Sequence, residues 1–505
     1  MLPKLPIGIQ DFSELRQGNF VYVDKTELLY PLLTGSKAYF FARPRRFGKS
    51  LLISTLSYLF EGRRDLFKDL WIEKRWNWEA KHPVIRLSLD AISHKEYGLH
   101  LALIKELNRI AGQFGIELVE TEPSGCFQEL IRNLAAQQGQ VVILIDEYDR
   151  PIIDYLAPQE LHIAEANRAI LKNFFSVLKS EDANIRFLFL TGVSKFSKVS
   201  IFSDLNHLQD LSMMSQSNNL CGYTQAEIQH YFEKILVEMP ADTLENMKKW
   251  YNGYSWNGRD FVYNPFSTLN FFSAREFDNF WFNTGTPTFL VKRLNRDFRY
   301  ALDNLEVERQ SLEAYELDKL QPIPLLFQTG YLTIKERTSY GTFILSYPNR
   351  EVRESLVQSL LVDYTHADVI IPRVHHIIQN LNQGDLAKTV ELLNGLFKTI
   401  PNPIFIANRE AYYHSIIYLT FILLGVYVQA EVNSSDGRLD AIVFMPEKIF
   451  ILEFKLNNTA DEALQQIIEK DYAAPFRHLE KPIIAVGIQL SEEKKGIADW
   501  KSIEI

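Results

Sequence analysis

Two carboxylates and a lysine late in the sequence have the spacing of a metal-dependent hydrolytic site. Asp440 ends a GRLD segment, and Glu453 and Lys455 lie inside the apolar run IFILEFKL. Because side chains alternate along a strand, Glu453 and Lys455 point to one face and meet Asp440 if it lies on the neighbouring strand. Charges in an apolar run cost free energy unless they have partners or a metal ion. The spacing therefore predicts a metal centre.

The residue types at this predicted centre suit magnesium. Asp440, Glu453 and the main-chain carbonyl of Phe454 offer the oxygen ligands that Mg²⁺ prefers, and Mn²⁺ is an alternative ion. The metal would stabilise charge on a phosphodiester, and Lys455 would position or help to ionise the attacking water. Glu410, at the start of the helical stretch EAYYHSIIYLTFILLG, would complete a second metal position. The chemistry predicted from these residues is phosphodiester hydrolysis.

A structural explanation of the same residues stays open. Asp440 would then cap a turn after Gly437, and Glu453 with Lys455 would form a cross-strand pair at the surface. The later helical segment QQIIEKDY carries residues that would either contact the substrate backbone or form a plain helix face: Gln465 or Gln466, and Tyr472.

A second group of residues near the start of the sequence predicts phosphate binding. The apolar strand AYFFA runs into RPRRFGKS and then into a strongly helical segment. In such a loop, main-chain N–H groups cradle phosphates, Lys49 contacts the β and γ oxygens, and Ser50 ligates magnesium. The expected nucleotide contacts are Arg43, Arg45, Arg46, Phe47, Gly48, Lys49, Ser50 and Leu51. We expect ATP binding here.

The loop departs from the usual pattern at one position. Arg43 stands where the first glycine of GxxxxGK[ST] is found, so the loop must bend differently, because a non-glycine residue disfavours positive φ. Arg43, Arg45 and Arg46 offer charge-assisted hydrogen bonds to phosphate. The departure leaves ATP binding as the expectation and the rate of hydrolysis open.

The run VVILIDEYD supplies the expected partner of this loop. It delivers Asp146 and Glu147 to the carboxyl end of a strand, where ligands bind in open α/β sheets. Asp146 would hold magnesium through water, and Glu147 would orient or deprotonate the attacking water. A later strand ends at 191–194, where a polar side chain is a candidate sensor of the γ-phosphate. The simpler alternative is that the acidic residues only begin a turn.

Apolar runs place these residues on a parallel sheet. The predicted strands cover residues 38–42, 83–89, 141–146 and 186–192. Runs this apolar are typical of strands buried on both faces, as in an α/β nucleotide-binding core. The segment DKTE at 24–27 has the spacing of a helix capping box. A helix beginning after Thr224 opens a mainly helical region, and 323–349 reads as a helix end followed by a hairpin.

These elements predict a chain of several domains. We expect an AAA-like P-loop core at 1–215, a helical lid at 216–290, a winged-helix-like module at 291–365, and an α/β nuclease-like domain at 366–505. Strands near RLDAIVFM, KIFILEFK and PIIAVGI are expected in the last domain.

Composition limits the environment and the partners. The formal net charge of -9 gives no bulk attraction for phosphate backbones, so nucleic acid would be bound by local basic patches. The two cysteines, Cys126 and Cys221, predict neither disulfides nor a zinc cluster. The first residues do not have the pattern of a secretory signal, and the apolar stretch 416–428 is short for a membrane span. We expect a cytoplasmic protein with no membrane partner.

Several motifs resemble one known family. YVDKTELL, RPRRFGKS, ILIDEYD, YNGYSW, VYNPFS, FWFNTGTP, GRLD and EFK are similar, in this order, to the bacterial AAA-ATPase-like family with a C-terminal PD-(D/E)XK nuclease domain. The arginine in place of the first loop glycine is a trait of that family. The resemblance implies a restriction-endonuclease-like fold with Asp440, Glu453 and Lys455 as the core motif and Glu410 as the helix glutamate.

Three functions follow as hypotheses. The first is an ATP-regulated, magnesium-dependent nuclease acting on nucleic acid, with DNA as the expected substrate. The second is a signalling ATPase whose C-terminal domain binds nucleic acid or protein without cutting. The third is a C-terminal protein-interaction platform. Assembly into a homo-oligomer stays open at this stage.

Overall fold

The computed structural model describes residues 2–195, 201–202, 205, 207–282, 294, 302–313, 322–365, 371–398, 400, 410–423, 427–434 and 437–505. The chain divides into two compact units: Met1–Thr284 with Leu302–Val352, and Gly285–Ala301 with Arg353–Ile505. The finer division into four domains stays a prediction. The end of the FWFNTGTP motif and the start of the segment expected at 366 lie outside the described residues.

A five-stranded parallel sheet forms the centre of the first unit. Its strands are β1 (Ala38–Ala42), β2 (Val84–Ser88), β3 (Val141–Asp146), β4 (Ile185–Gly192) and β5 (Gln209–Asp210). Their order is β2-β3-β4-β1-β5, so the strands that end in the phosphate-binding loop and in Asp146 both pair with β4. The predicted parallel sheet is confirmed.

The sheet edge differs from the prediction in one respect. The strand β2 pairs only with β3 and alternates between buried and half-buried residues, whereas β1 and β3 are buried throughout. The expectation that all four predicted strands are buried on both faces is therefore wrong for β2. Its polar Arg86 and Ser88 are half-buried and lie on the same face of the strand as the half-buried Val84.

Helices cover the sheet and frame its loops. They are α1 (Phe12–Gln17), α2 (Thr26–Thr34), α3 (Lys49–Phe60), α4 (His94–Tyr97), α5 (Leu99–Gln113), α6 (Pro123–Gln138), α7 (Arg150–Ile153) and α8 (Leu161–Ser180). The helix α3, which follows the phosphate-binding loop, packs against β2 and β3 and buries most of its apolar side chains.

The capping box expected at 24–27 does not form. The helix α2 begins at Thr26 without a side-chain cap. Asp24 Oδ1 accepts hydrogen bonds from the N–H and hydroxyl of Thr26, and its Oδ2 accepts one from the N–H of Trp71. The carboxylate therefore binds a neighbouring loop as well as the helix start, which residue spacing alone does not reveal.

The predicted lid and hairpin are present in the same unit. The lid helices are α9 (Gln225–Tyr231), α10 (Glu233–Leu236), α11 (Thr243–Tyr251) and α12 (Pro265–Ala274). Thr224 caps α9, as predicted, and the structure shows that it forms a capping box with Glu227. The later elements are β6 (Leu305–Val307), α13 (Arg309–Glu313), α14 (Pro322–Thr329), β7 (Thr333–Arg337) and β8 (Phe343–Ser346). The predicted helix end followed by a hairpin is confirmed, and β6 adds a third strand.

The second unit is built on a mixed sheet. Its strands are β9 (Tyr427–Ser434), β10 (Gly437–Phe444), β11 (Ile449–Leu456), β12 (Ile483–Ser491) and β13 (Gly496–Glu504), in the order β13-β12-β11-β10-β9. The chain also forms α15 (Arg350–Thr365), which contains the boundary between the units, α16 (Ile371–Gln383), α17 (Leu386–Lys398), α18 (Glu410–Leu423) and α19 (Ala460–Glu469). Antiparallel β10 and β11 are the neighbouring strands that the Asp440 and Glu453 spacing predicts.

The most apolar helix of this unit is α18. Its residues from Tyr412 to Ile422 are buried, except for the half-buried His414. Within the described ranges, we find no helix whose length and apolar character would allow it to cross a membrane. The apolar stretch 416–428 thus begins as a core helix and ends in β9.

Candidate functional site

The phosphate-binding loop of the first unit opens onto a cavity of about 410 Å³. This volume lies in the range of sites that hold small-molecule ligands. The predicted loop residues at the cavity wall are Arg45, Arg46, Phe47, Gly48, Lys49, Ser50 and Leu51. Apolar side chains of the N-terminal segments and the lid also line it, among them Ile9, Val23, Phe266 and Leu269. Cationic and apolar walls together suit a ligand with both phosphate and an aromatic base.

The loop obtains its bend at Arg46 and Gly48. Their φ angles of 65° and 93° lie in the left-handed region, which only glycine adopts without cost. The residue at the usual first-glycine position, Arg43, does not adopt a positive φ. Lys49 is buried and donates a hydrogen bond of 3.1 Å to the carbonyl of Pro44. This bond folds the loop back on itself at the start of α3.

Arg43 lies outside the cavity, contrary to the expected phosphate contact. Its guanidinium is fully buried and donates to the carbonyls of Ala42 and Ser212 at 2.8 Å each and of Ser217 at 2.9 Å. The guanidinium carbon lies 3.7 Å from the centre of the Trp256 ring. Burial lowers the pKa of Arg43 to about 9, so the group stays cationic at neutral pH. Arg43 is thus a structural cation at the base of the loop.

Aromatic residues of the lid motifs hold the rest of the loop. Phe47 packs edge-on against Tyr254 and Trp256, with ring centres 4.8 and 5.7 Å apart. The indole N–H of Trp281 donates to the carbonyl of Arg45 at 3.0 Å. The guanidinium of Arg46 lies 5.2 Å from the ring of Phe266. These four contacts explain the aromatic motifs YNGYSW, VYNPFS and FWFNTGTP, which sequence reasoning identified without a role.

A buried ion pair fixes the lid at the cavity wall. Lys25, which lines the cavity, donates to both carboxylate oxygens of Glu227 at 2.6 and 2.7 Å. Glu227 also completes the cap of α9 at Thr224. Burial lowers the pKa of Lys25, and the charge of Glu227 opposes this effect. Through Lys25, the N-terminal DKTE segment therefore contacts the lid as well as its own helix.

The structure separates the two acidic residues at the end of β3. Asp146 is buried, accepts hydrogen bonds from the Thr191 hydroxyl and the Glu147 N–H, and is not part of the cavity wall. Glu147 lines the cavity and has a φ of 49°, an unusual conformation for a non-glycine residue. Burial raises its pKa, and the charge of Lys49 opposes this. A raised pKa and a strained turn are both frequent at functional sites.

The predicted phosphate sensors have other partners. Thr191 is fully buried and donates to Asp146. The Ser194 hydroxyl donates to Asp149 Oδ2 at 2.7 Å. Both hydroxyls therefore hold the acidic segment after β3 in place. The sequence shows that the strand ends in hydroxyl residues, but it does not show which groups these hydroxyls bind. A phosphate sensor could therefore not be assigned from the sequence.

In the second unit, Asp440, Glu453 and Lys455 come together where β10 and β11 part. The strand register ends at the pair Ala441 and Leu452. Beyond it, the N–H of Phe454 donates to Asp440 Oδ2 at 2.8 Å. Lys455 Nζ lies 3.1 Å from Glu453 Oε1. The alternative that Asp440 only caps a turn is wrong, because Asp440 lies within β10.

Glu453 is the buried centre of this cluster. Its side chain is 2% exposed, and its Oε1 accepts hydrogen bonds from Lys455 and from the amide of Gln466. Its Oε2 is buried and has no hydrogen-bond partner among the described residues. Burial and the charge of Asp440 raise the pKa of Glu453 to about 7, although Lys455 lowers it. A buried carboxylate oxygen without a partner is costly, and a ligand position such as that of a metal ion is one explanation for it.

The remaining predicted residues lie around this carboxylate. Glu410, at the start of α18, accepts a hydrogen bond of 2.9 Å from the N–H of Leu456, so it reaches the end of β11. Gln466 contacts Glu453 and lies 3.5 Å from the Tyr472 hydroxyl, whereas Gln465 pairs with Glu469 at the surface. Gln466 is therefore in a position to orient Glu453, Gln465 has a partner on its own helix, and contact of these residues with a substrate stays a prediction.

The donor set fits a divalent cation only in part. Across the ranges that the structure covers, no three acidic, histidine or cysteine side chains converge as metal ligands would. Asp440 and the unpartnered Glu453 Oε2 supply two carboxylates, and a hard cation completes its coordination with main-chain oxygen and water. The residues therefore fit an ion with several water ligands, held mainly by these two carboxylates.

A parallel α/β core with a GKS loop, and a mixed sheet with the D-x12-E-x-K cluster, define an ATPase-like chain with a nuclease-like second unit. Residues 6–202 match the family described as a predicted AAA-ATPase, and residues 408–500 match the PD-(D/E)XK nuclease superfamily. An uncharacterized protein from the vnfD 5′ region of Azotobacter chroococcum mcd 1 is 40% identical over 98% of both chains. This chain belongs to that family of predicted AAA-ATPases with a C-terminal PD-(D/E)XK domain.

Two solved structures show a distant likeness. The ORC2 protein of Aeropyrum pernix, in ADPNP–ADP complexes, is 12% identical with a TM-score of 0.28, covering 67% of this chain and 92% of that one. The Aeropyrum pernix ORC1 protein in complex with DNA is 13% identical with a TM-score of 0.24, covering 70% and 92%. Likeness at this level carries no argument about function.

We predict that Arg43→Ala lowers the free energy of unfolding by roughly 3 kcal/mol or more, because three buried carbonyls lose a charged donor. Denaturant unfolding followed by circular dichroism measures this. The matched control is Arg46→Ala, since Arg46 is exposed and its loss should cost about 0.5 kcal/mol or less. Equal stability of the two variants would contradict the structural role of Arg43.

The raised pKa of Glu453 predicts that the free energy of unfolding depends on pH. The prediction applies to protein from which EDTA has removed any metal. Its folded pKa of about 7 lies above the ordinary 4.5, so ionisation destabilises the fold and stability falls as pH rises between these values. Glu453→Gln abolishes this loss, and the variant should gain up to roughly 3 kcal/mol relative to wild type between pH 4.5 and 8.

The control for this experiment is Glu447→Gln, which removes an exposed carboxyl of the same unit and separates lost charge from lost burial. A difference between Glu453→Gln and wild type that is the same at both pH values would show that Glu453 is not held in an unfavourable environment.

Proposed function

We propose that this chain is a cytoplasmic ATP-binding protein, with ATP hydrolysis as the expected reaction, and a magnesium-dependent nuclease that acts on DNA. The observation that carries the nuclease proposal is the buried Glu453 oxygen without a partner, beside Asp440 and Lys455. The cavity at Lys49 and Ser50 carries the nucleotide proposal. Assembly into a homo-oligomer stays a prediction.

At the proposed nuclease site, each residue has a separate task. Glu453 and Asp440 would hold Mg²⁺ or Mn²⁺, with the Phe454 carbonyl as a further oxygen ligand. A bound metal of this kind supplies positive charge to the phosphate and lowers the pKa of a coordinated water. Lys455, which is 27% exposed beside Glu453, is available to position that water. Gln466 would hold the Glu453 carboxylate in its orientation, and Glu410 would complete a second metal position.

At the proposed ATP site, the loop binds phosphate and the acidic turn prepares the water. Lys49 and the N–H groups at the start of α3 would contact the β- and γ-phosphates, and Ser50 with Asp146 would hold the magnesium ion, Asp146 through water. Glu147 reaches the cavity wall, where it would orient the attacking water. Burial raises its pKa, and a carboxylate with a raised pKa is the stronger proton acceptor once it is ionised.

ATP binding is tested by titration calorimetry of the full chain with magnesium and ATP. Wild type should bind, and Lys49→Ala should weaken binding at least about tenfold, because one charge-assisted phosphate contact contributes on the order of 1.5–3 kcal/mol. Lys37→Ala, a lysine outside the cavity wall that pairs with Asp182, is the matched control and should bind as wild type does. Equal binding by all three proteins would refute the assignment of the loop.

Nuclease activity is tested on single- and double-stranded DNA and RNA with magnesium or manganese, with and without ATP. Wild type should cleave DNA, and Lys455→Ala should reduce cleavage by about 100-fold or more, as expected for loss of a group acting in the transition state. Lys501→Ala, an exposed lysine of the same sheet paired with Asp461, should cleave normally.

The outcomes separate the candidate functions. Cleavage that is unchanged in Lys455→Ala would refute the assigned centre. ATP turnover without any nucleolytic product would instead favour the signalling ATPase whose second unit binds without cutting.

A further inference from the structure

Arg150 is a cationic residue of the nucleotide cavity that the loop motifs do not include. It follows the DEYD segment and begins α7. Its N–H donates to the carbonyl of Glu147 at 3.0 Å, which closes a tight turn. Both Glu147 and Arg150 line the cavity together with Lys49 and Asp90. The turn thus brings an acid and a guanidinium to the same wall.

The guanidinium of Arg150 is held from one side. Its Nε lies 3.0 Å from Asp154 Oδ1, and its side chain is 30% exposed. The structure gives its two terminal amino groups no hydrogen bond to any residue it describes. The planar end of a guanidinium suits two oxygens of one phosphate. The two terminal amino groups of Arg150 are therefore available to bind a ligand.

Asp154 is itself a fixed anion. Its side chain is 9% exposed and lies 2.9 Å from Lys95 Nζ and 3.6 Å from His94 Nε2. Burial raises its pKa, but the hydrogen bonds of His94 and Lys95 and the charge of Arg150 outweigh this and bring it to about 2. A carboxylate that faces both Lys95 and Arg150 is a firm anchor for Arg150.

We propose that Arg150 contacts the terminal phosphate of bound ATP and stabilises the charge that develops there, from the same turn that supplies Glu147. This inference rests on the proposed ATP site. It differs from a simple surface pair: exposed pairs at this helical spacing contribute little, whereas Arg150 faces a cavity that already holds Lys49. A cation supplied by the chain itself removes the need for an arginine from a partner.

The proposed contact predicts that loss of Arg150 affects the binding of ATP more than the binding of ADP. Arg150→Ala should lower ATP turnover by about 100-fold and weaken ATP binding at least about fivefold, while ADP binding changes less than about twofold, because ADP lacks the contacted phosphate. Turnover should fall more than affinity, since the charge to be stabilised grows in the transition state.

Two further variants test the anchoring. Arg150→Lys keeps the charge but not the planar edge, and it should recover only part of the lost turnover. Asp154→Asn should lower turnover less than Arg150→Ala, and the double variant should be no worse than Arg150→Ala alone, because Asp154 acts through Arg150. If Arg150→Ala fails to fold, Arg150→Lys and Asp154→Asn still give this comparison.

The matched control is Arg109→Ala, an arginine that also pairs with an acid on its own helix, Glu106 at 2.7 Å, but lies outside the cavity wall. ATP turnover and ATP affinity of Arg150→Ala within about twofold of this control would overturn the proposal while leaving the ATP site intact. Absence of ATP binding in wild type, with no effect of Lys49→Ala, would overturn the ATP site itself and Arg150 with it.

Discussion

The buried guanidinium of Arg43 is the interaction on which the nucleotide site depends. It is the first residue after β1 and connects that strand to main-chain carbonyls at Ser212 and Ser217 and to the ring of Trp256. A desolvated cation over an aromatic face contributes on the order of 2 kcal/mol, in addition to the hydrogen bonds. The loop that lacks its first glycine is therefore held by Arg43 and the aromatic residues of the lid, in addition to the positive φ angles of Arg46 and Gly48.

The second unit also buries a charged side chain, and this side chain has fewer contacts. Glu453 is also a buried charge, but only one of its oxygens is satisfied, by Lys455 and Gln466. In the first unit burial fixes a cation that no ligand needs to reach. In the second it leaves one carboxylate oxygen without a partner, next to Asp440 where β10 and β11 part. The same desolvation cost thus accompanies a satisfied cation in one unit and a partly satisfied carboxylate in the other.

Sequence patterns were sufficient where neighbouring residues decide the outcome. The four predicted strands of the parallel sheet, the cap at Thr224, the hairpin at β7 and β8 and the convergence of Asp440 with Glu453 and Lys455 all follow from local periodicity and register. Patterns failed where the partner is distant in sequence. The direction of Arg43 depends on Trp256, and the role of Asp24 depends on Trp71. The strands β9 and β13 were missed because their mixed polar runs resemble loops.

Arg150 was missed although a local signal existed. An arginine directly after DEYD, with an acid four residues later, forms a pair on one helical turn, and only the fold shows that Arg150 lines the cavity. Gln466 is the same kind of case, since its contact with Glu453 needs the packing of α19 on β11. Residues that position other residues carry little signal of their own.

The central claim is that Glu453 and Asp440 hold a divalent cation. Anomalous diffraction from crystals grown with Mn²⁺ tests it most directly, because manganese can be located independently of the protein atoms. We expect an anomalous-difference peak roughly 2.0–2.3 Å from Glu453 Oε2 and from an oxygen of Asp440. An Mn²⁺-saturated crystal with no peak between these carboxylates, and with Glu453 still bonded only to Lys455 and Gln466, would contradict it.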